Sequence, residues 1–191
     1  MNGAHSVQFF DGEDSLGAAV AAYFLEGLRT GAHLVLLARA RNVETIAERL
    51  AGRGYPLSEL VDEGRLTTFD TAATLRTFMV NGRPNLAAFE EAVVAPIREL
   101  AARHTGGVCA YGELVDVLAA DDNIRASEDL ERLWNGVLAE LPRLQVHCGY
   151  TSAHFADERL ARSMKSICDH HHHVVRDESD LLANWLLAQH A

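Results

Sequence analysis

Short apolar runs alternate along the chain with longer segments in which apolar residues recur every three or four positions. The short runs have the length of strands, and they predict strands over residues 5–10, 33–38, 65–70, 108–111 and 144–150. The run at residues 33–38 (His-Leu-Val-Leu-Leu-Ala) is apolar without alternation. Such a run is typical of a central parallel strand that is buried on both faces.

The segments between the strands carry the period of an amphipathic helix. They predict helices over residues 16–28, 43–50, 71–79, 86–100, 123–141, 157–168 and 177–189. Asp14 is the predicted N-cap of the first helix and Gly31 its stop, and Pro96 is expected to bend the fourth helix. Strands that alternate with such helices indicate βαβ units with right-handed crossovers. We therefore expect an α/β fold, a three-layer sandwich with a mainly parallel central sheet.

Composition and charge narrow the class of protein. The length of 191 residues suits one domain, and the 48% of apolar residues supply a sizeable core. The formal net charge of −10 repels phosphate backbones and anionic lipids. We therefore expect neither direct nucleic-acid binding nor membrane binding.

The cysteines and the N-terminus indicate a cytoplasmic protein. The three cysteines are far apart and form no Cys-x-x-Cys pair, which is unlike a secreted disulfide framework. The first residues (Met-Asn-Gly-Ala-His) lack the basic and apolar regions of a signal peptide, and no apolar stretch has the length of a membrane span. A reducing cytoplasm is the predicted location.

The loop after the first strand argues against nucleotide hydrolysis. In an open parallel sheet, ligands bind at the carboxyl ends of the strands, and a P-loop would place Gly-x-x-x-x-Gly-Lys-[Ser/Thr] there. Residues 11–17 (Asp-Gly-Glu-Asp-Ser-Leu-Gly) contain three acids and no lysine. The sequence therefore predicts no P-loop, although a neutral or cationic ligand is still compatible with this edge.

Two further strand ends carry candidate polar residues. Glu113 follows the strand at residues 108–111, where an acid can bind a metal or activate water, or can simply cap the next helix. Gly112 before it either admits a ligand or serves a turn. Cys148 lies within a strand, and a free cysteine there is more often a small buried hydrophobe than a nucleophile. No catalytic triad context or Gly-x-Ser-x-Gly elbow accompanies these residues.

One helix carries a polar group on its apolar face. Glu131, Trp134 and Asn135 are three or four residues apart and share a face of the predicted helix. If Trp134 is in the core, Glu131 and Asn135 are partly buried and need polar partners. His5, at the start of the first strand, is structural or belongs to a site, and the residues alone leave both interpretations open.

Four consecutive histidines, at residues 170–173, follow Cys168. Histidine and thiolate suit zinc, copper or nickel. Consecutive residues point in different directions, however, whereas a tetrahedral site gathers its ligands from separated positions. We expect adventitious metal binding here rather than a dedicated metal site, and we expect no cofactor.

Six segments in order resemble the MEDS family, the sensory domain of a regulator of dichloromethane metabolism in methylotrophs and of related proteins in methanogens. They are residues 5–10 (His-Ser-Val-Gln-Phe-Phe), 27–31 (Gly-Leu-Arg-Thr-Gly), 78–84 (Phe-Met-Val-Asn-Gly-Arg-Pro), 111–115 (Tyr-Gly-Glu-Leu-Val), 130–135 (Leu-Glu-Arg-Leu-Trp-Asn) and 148–150 (Cys-Gly-Tyr). Each segment is a weak signal alone, and the six in order are specific. Residues 118–123 depart from the family, which often has a tryptophan and a glycine there.

The resemblance implies a RecA/KaiC-like fold without a functional P-loop and a sensory role. By this resemblance, His5 corresponds to the opening histidine of the family and would contact the ligand. Glu113 and Glu131 correspond to two acidic residues of the family motifs. The ligand-binding residues predicted from the motifs and from the helix face are His5, Phe9, Tyr111, Glu113, Glu131, Asn135 and Tyr150. No catalytic residue is predicted.

The leading functional hypothesis is a small-molecule-sensing or signalling module without turnover that acts on a regulator or a histidine kinase. Residues 1–176 would form the sensory domain, and residues 177–191 a C-terminal amphipathic helix packed on the core or on a partner. One alternative is a protein–protein interaction module, in which Leu181 and Trp185 contact a partner or a second copy in a homodimer. The other alternative is an enzyme, either a degenerate NTPase or a metal-dependent hydrolase that uses Glu113 with histidines.

Overall fold

A computed structural model describes residues 3–191, and a parallel sheet lies at its centre. The described chain forms eight strands: β1 (Ala4–Phe10), β2 (His33–Ala38), β3 (Leu66–Asp70), β4 (Met79–Val80), β5 (Arg83–Pro84), β6 (Val108–Gly112), β7 (Leu144–Thr151) and β8 (His173–Val175). Six strands form one sheet in the order β3-β2-β6-β7-β1-β8, and every pair in it is parallel. Strands β4 and β5 form a separate antiparallel hairpin.

The helices lie between the strands in chain order. They are α1 (Glu13–Arg29), α2 (Ala40–Ala51), α3 (Leu57–Asp62), α4 (Thr71–Phe78), α5 (Leu86–Phe89), α6 (Ala95–Arg103), α7 (Leu114–Ala120), α8 (Ile124–Glu140), α9 (Glu158–Asp169) and α10 (Leu181–His190). A π-helical segment, Glu90–Val94, joins α5 to α6, and a 3₁₀ turn, Ser152–Ala156, precedes α9. Within the described residues, no helix combines the length and the apolar character needed to cross a membrane.

Two hydrophobic cores cover the two faces of the sheet, as strand alternation requires. In β7, Val146, Cys148 and Tyr150 all pack into the core that α8 covers. In β6, Cys109 and Tyr111 pack into the opposite core, which α1 and α2 cover. The three-layer α/β sandwich with a parallel sheet is therefore confirmed.

The start of α1 differs from the prediction. Gly12 occupies the N-cap position and offers no side chain, so the assignment of Asp14 as the cap was wrong. Asp14 lies in the first turn, where a carboxylate favours the positive end of the helix dipole, and it pairs with Arg49 at 2.9 Å. The predicted stop is confirmed, because α1 ends at its C-cap Thr30 and Gly31 follows with φ +75°.

The predicted fourth helix is interrupted. A π-helical segment separates α5 from α6 and lies directly before Pro96, the second residue of α6. Proline cannot donate a backbone hydrogen bond, and a π-helical turn accommodates the changed hydrogen-bond pattern. The helix type thus changes in the turn before Pro96, and the bend expected at Pro96 stays a prediction.

Four short elements were absent from the prediction. They are α3, α7, β8 and the β4–β5 hairpin. Each is seven residues or shorter, so the apolar periodicity within it is too brief to distinguish it from a loop. Strand β8 matters for the site, because it pairs with β1 and brings the histidine run alongside the start of that strand.

The C-terminal helix binds the loop after β1. The carboxylate of Asp11 accepts the backbone N–H groups of Leu182 and Ala183, at 2.6 and 2.9 Å. Asp180, which is buried, accepts the N–H of Asp11 at 2.9 Å. A carboxylate at a helix N-terminus satisfies free N–H groups and the helix dipole. The position of a P-loop in related folds is thus used here to hold α10.

Candidate functional site

Four ionisable side chains from distant parts of the chain meet beneath α8. We call them the Glu131 cluster, and its members are His5 of β1, Glu131 of α8, Cys148 of β7 and His171 after α9. Alternation along β1 directs His5, Val7 and Phe9 to the same face of the sheet. The side chains of His5, Glu131 and His171 are fully shielded from solvent.

One carboxylate oxygen is the centre of this cluster. Glu131 Oε2 lies 3.2 Å from His5 Nε2 and 3.4 Å from His171 Nε2. The Cys148 thiol donates to the same oxygen at 3.4 Å, and its Sγ is also 3.4 Å from His5 Nε2. All four atoms lie within 4.8 Å of one another, so these residues are placed to share one metal ion.

The carboxylate and both imidazoles also have outer partners, which contact the polar atom that faces away from the cluster. The Tyr150 hydroxyl donates to Glu131 Oε1 at 2.8 Å. His5 Nδ1 lies 3.0 Å from Asn135 Oδ1, and His171 Nδ1 lies 2.7 Å from the carbonyl oxygen of Ile167. These bonds fix the orientation of both rings and direct both Nε2 atoms towards the carboxylate.

Burial and charge act against each other in the cluster. Burial would raise the pKa of Glu131, but the nearby His171 and His5 rings, which pair with its carboxylate when charged, outweigh burial and hold that pKa well below its usual range. Burial likewise opposes a charged His171, and the Glu131 carboxylate nevertheless raises its pKa. The pKa of the Cys148 thiol is raised well above its ordinary value by burial and by the nearby carboxylate. The cluster therefore holds a buried anion matched by histidine.

An open cleft lies at the surface beside the cluster. It has a volume of about 420 Å³, and its walls include Asn135 of the outer partners and residue His171, whose side chain itself is shielded from solvent. The neighbouring histidines His170 and His172 also line it. A small ligand or an ion in this cleft would meet Asn135, which bonds to His5 of the cluster.

Most of the predicted ligand-binding residues come together here. His5, Glu131, Asn135 and Tyr150 are joined by hydrogen bonds and ion pairs. Phe9 stacks on Tyr150 with ring centroids 5.5 Å apart. The expectation that Glu131 and Asn135 need buried polar partners is confirmed.

Tyr111 and Glu113 lie elsewhere, in a second polar group on the opposite face of the sheet. The buried Glu113 carboxylate accepts the Arg39 N–H at 3.0 Å, the Asn42 amide at 2.8 Å and the Tyr111 hydroxyl at 3.1 Å. Burial raises the pKa of Glu113, and the bonds from Arg39 and Asn42 oppose that rise. Glu113 occupies the N-cap position of α7, but its side chain makes no capping bond. Its carboxylate instead ties α7 to the end of β2.

Sequence reasoning did not select Cys148 and His171 as site residues. Cys148 and Tyr150 are two residues apart in β7, so strand alternation directs both side chains into the same core. His171 is directed inward by the pairing of β8 with β1 and by hydrogen bonds between His172 and the backbone of His5. The cysteine and the histidine run were visible signals, but only the strand order shows that they meet His5.

Comparison with known proteins identifies the family to which this chain is similar. Residues 4–166 match the family described as the MEthanogen/methylotroph, DcmR Sensory domain, abbreviated MEDS. The match spans most of the chain and includes three members of the Glu131 cluster, while His171 lies beyond its end.

Individual proteins that match this chain share little sequence identity with it. Oxidoreductase UcpA of Escherichia coli K12 is 26% identical over 129 residues, which are 68% of this chain and 42% of that protein. The crystal structure of a KaiC-like protein from Pyrococcus horikoshii OT3 is similar with a TM-score of 0.52 and 15% identity, over 77% of this chain and 62% of that one. The chain thus spans less than two thirds of either relative. The structural likeness establishes a KaiC-like fold.

Proposed function

Because the chain belongs to the MEDS family of sensory domains, we propose that it senses a small organic molecule without catalytic turnover and signals to a regulator or a histidine kinase. The observation that carries this proposal is the convergence of a buried carboxylate and two histidines next to an open cleft, to which Asn135 connects them. A buried ion pair of this kind contributes little net stability, because desolvation offsets the attraction. Its presence beside a cleft therefore favours a role in binding.

The cleft suits a small polar ligand. Asn135 faces it, and behind Asn135 lie the two ring nitrogens and the carboxylate of the Glu131 cluster. A ligand that displaced the bond between Asn135 and His5 would disturb the bond from Asn135 Nδ2 to the His170 carbonyl at the same time. Such an exchange would move the segment that carries β8, an edge strand of the sheet. We propose that this movement is the signal.

The proposed absence of turnover rests on the residues that follow β1 and β6, where related folds place catalytic groups. The loop after β1 has no P-loop sequence, and its Asp11 binds the start of α10. Glu113 is engaged by three donors and so is poorly placed to act as a free base. UcpA is described as an oxidoreductase, but this chain has no Gly-x-Gly-x-x-Gly fingerprint for a dinucleotide.

A thermal-shift screen of the full chain tests the sensing function. We expect at least one small polar organic molecule to raise the melting temperature saturably, and nucleotides to have no effect. Stabilisation by a ligand at 100 times its dissociation constant amounts to about 2.7 kcal/mol. Asn135→Ala, at the cleft, should abolish the shift, whereas Glu140→Gln, on the exposed face of the same helix, should preserve it. Shifts with nucleotides alone, or organic-ligand shifts that survive Asn135→Ala, would contradict the proposal.

A second candidate function, protein–protein interaction, is supported by the C-terminal helix. Leu181 and Trp185 are four residues apart on α10 and are 74% and 59% exposed, while Leu186 and Leu187 are buried. Large apolar side chains on one exposed face are common at contact surfaces. We propose that this face binds an apolar groove on the signalling partner.

Substitution of the exposed pair tests this surface without disturbing the core. The double variant Leu181→Ser and Trp185→Ser should change the free energy of unfolding by no more than about 0.5 kcal/mol, as for other surface sites. We expect it to abolish binding to a co-expressed regulator or kinase in pull-down assays. Loss of a homodimer in sedimentation would instead assign the face to a second copy. Unchanged association in both assays would exclude it as a contact surface.

A further inference from the structure

We propose that the Glu131 cluster is a dedicated zinc site. Its four side chains supply two imidazole nitrogens, one sulfur and one carboxylate oxygen, a ligand set that zinc accepts in tetrahedral sites. They come from β1, α8, β7 and the segment after α9, as expected of a site that gathers separated ligands. The inference is independent of the sensing function, because zinc binding is measured without an organic ligand.

The distances fit a tetrahedron around one ion. With metal–ligand bonds of the usual length, neighbouring ligand atoms in a tetrahedral zinc site lie about 3.3–3.8 Å apart. Glu131 Oε2 is 3.2–3.4 Å from its three neighbours, and His5 Nε2 is 3.4 Å from Cys148 Sγ. These are four of the six edges of the tetrahedron, and the other two, from His171 Nε2 to His5 Nε2 and to Cys148 Sγ, lie within 4.8 Å.

The hydrogen bonds around the rings leave their inner nitrogens free to bind a metal. Asn135 donates its amide N–H to the His170 carbonyl, so its oxygen faces His5 and accepts the Nδ1 proton. The Ile167 carbonyl accepts the Nδ1 proton of His171 in the same way. When a metal displaces any proton held at Nε2, these bonds keep the other ring proton on Nδ1, and both Nε2 lone pairs face the ion.

One buried nitrogen of the cluster makes no hydrogen bond. His171 Nε2 forms an ion pair with the Glu131 carboxylate at 3.4 Å, but it has no hydrogen-bond partner among the described residues. Buried polar nitrogens rarely go without a partner. A cation between the two imidazoles, the thiol and the carboxylate would satisfy this nitrogen and bind the converging lone pairs.

The charge balance and the outer partners also favour zinc. A zinc ion with one thiolate and one carboxylate forms a neutral buried unit, and the thiol proton is released to solvent when sulfur binds the metal. The carbonyl acceptors on both rings and the Tyr150 hydroxyl on Glu131 are the outer partners typical of metal sites. Magnesium and calcium prefer oxygen ligands and suit this set poorly.

The cleft beside the cluster carries further potential metal ligands. His170, His172 and Asp169 line it. Only one histidine of the run, His171, enters the cluster. The sequence predicts adventitious binding by the whole run, and the proposed zinc site departs from that expectation at His171. The two kinds of binding can be separated by substitution.

Metal binding by the tag-free full chain tests the inference. After removal of bound metal with a chelator, titration with zinc sulfate should give one tight equivalent. Cobalt(II) in place of zinc should give a tetrahedral spectrum with a thiolate charge-transfer band. Cys148→Ser should abolish that band and weaken zinc binding more than 100-fold, while Asn135→Ala, which removes an outer partner, should weaken it about 10–100-fold.

The histidine run provides the matched control. His173→Ala changes an exposed histidine outside the cluster and should leave zinc affinity unchanged. Zinc that is retained by Cys148→Ser but lost with His173→Ala would show adventitious binding only and overturn the proposal. If Cys148→Ser fails to fold, the wild-type cobalt spectrum decides, because absence of the thiolate band excludes this ligand set.

Discussion

Replacing Glu131 with alanine is expected to lower the free energy of unfolding by about 3–5 kcal/mol, the usual cost of removing one partner from a buried ion pair. The carboxylate is fully buried and contacts His5, Cys148, Tyr150 and His171. Without it, these groups stay buried with fewer partners and the methylene groups of the side chain leave a cavity. Urea denaturation in the presence of a chelator measures the loss without a contribution from bound metal.

Glu140 on the same helix provides the control. Its side chain is 67% exposed and pairs with Arg98 at 3.3 Å, a surface ion pair that contributes at most about 1 kcal/mol. Glu140→Ala should therefore change the free energy of unfolding very little. A loss of less than about 1 kcal/mol for Glu131→Ala as well would mean that the cluster is not the tightly coupled group described above.

Replacing Trp134 with alanine is the second change with a large expected effect, about 3–5 kcal/mol. Trp134 is almost fully buried and lies edge-on to Phe89 with ring centroids 5.2 Å apart. It is one turn from Glu131 and adjacent to Asn135, so it fixes the position of the helix that carries both site residues. We therefore expect the variant to lose affinity for ligand or metal as well as stability.

Trp185 provides a matched control for the loss of an indole ring. Its side chain is 59% exposed on α10, so Trp185→Ala should change the free energy of unfolding by no more than about 0.5 kcal/mol. Thermal and urea denaturation of both variants check the difference. Equal losses at the two positions would contradict the assignment of Trp134 to the core and of Trp185 to the surface.

The larger elements of the fold follow from local patterns in the sequence. The unbroken apolar run of β2 predicts a central strand, and the strand occupies the same six residues in the structure. The spacing of Glu131 and Asn135 predicts a shared helix face, because 3.6 residues complete one turn. The predicted start of the last helix, at residue 177, was wrong. Helix α10 begins at Leu181, after a turn in which Asp177 accepts hydrogen bonds from Ser179.

The composition of the site depends on strand order, which local patterns do not determine. Placement of β1 between β7 and β8 brings His5 next to Cys148 and directs His171 inward. The resemblance carried both His5 and Glu113 over as site residues, yet the structure places them in separate polar groups. Tyr111, the partner of Glu113, packs on the opposite face of the sheet from Tyr150.

Native mass spectrometry of the tag-free protein purified from its host tests most directly the central claim that the Glu131 cluster and its cleft form a binding site. We expect a co-purifying small molecule, a metal ion or both, which appear as different added masses, and we expect His5→Ala to remove them. Glu113→Ala lies in the other polar group and should retain them. A wild-type protein that carries no added mass, or an added mass that survives His5→Ala and is lost with Glu113→Ala, would contradict the account.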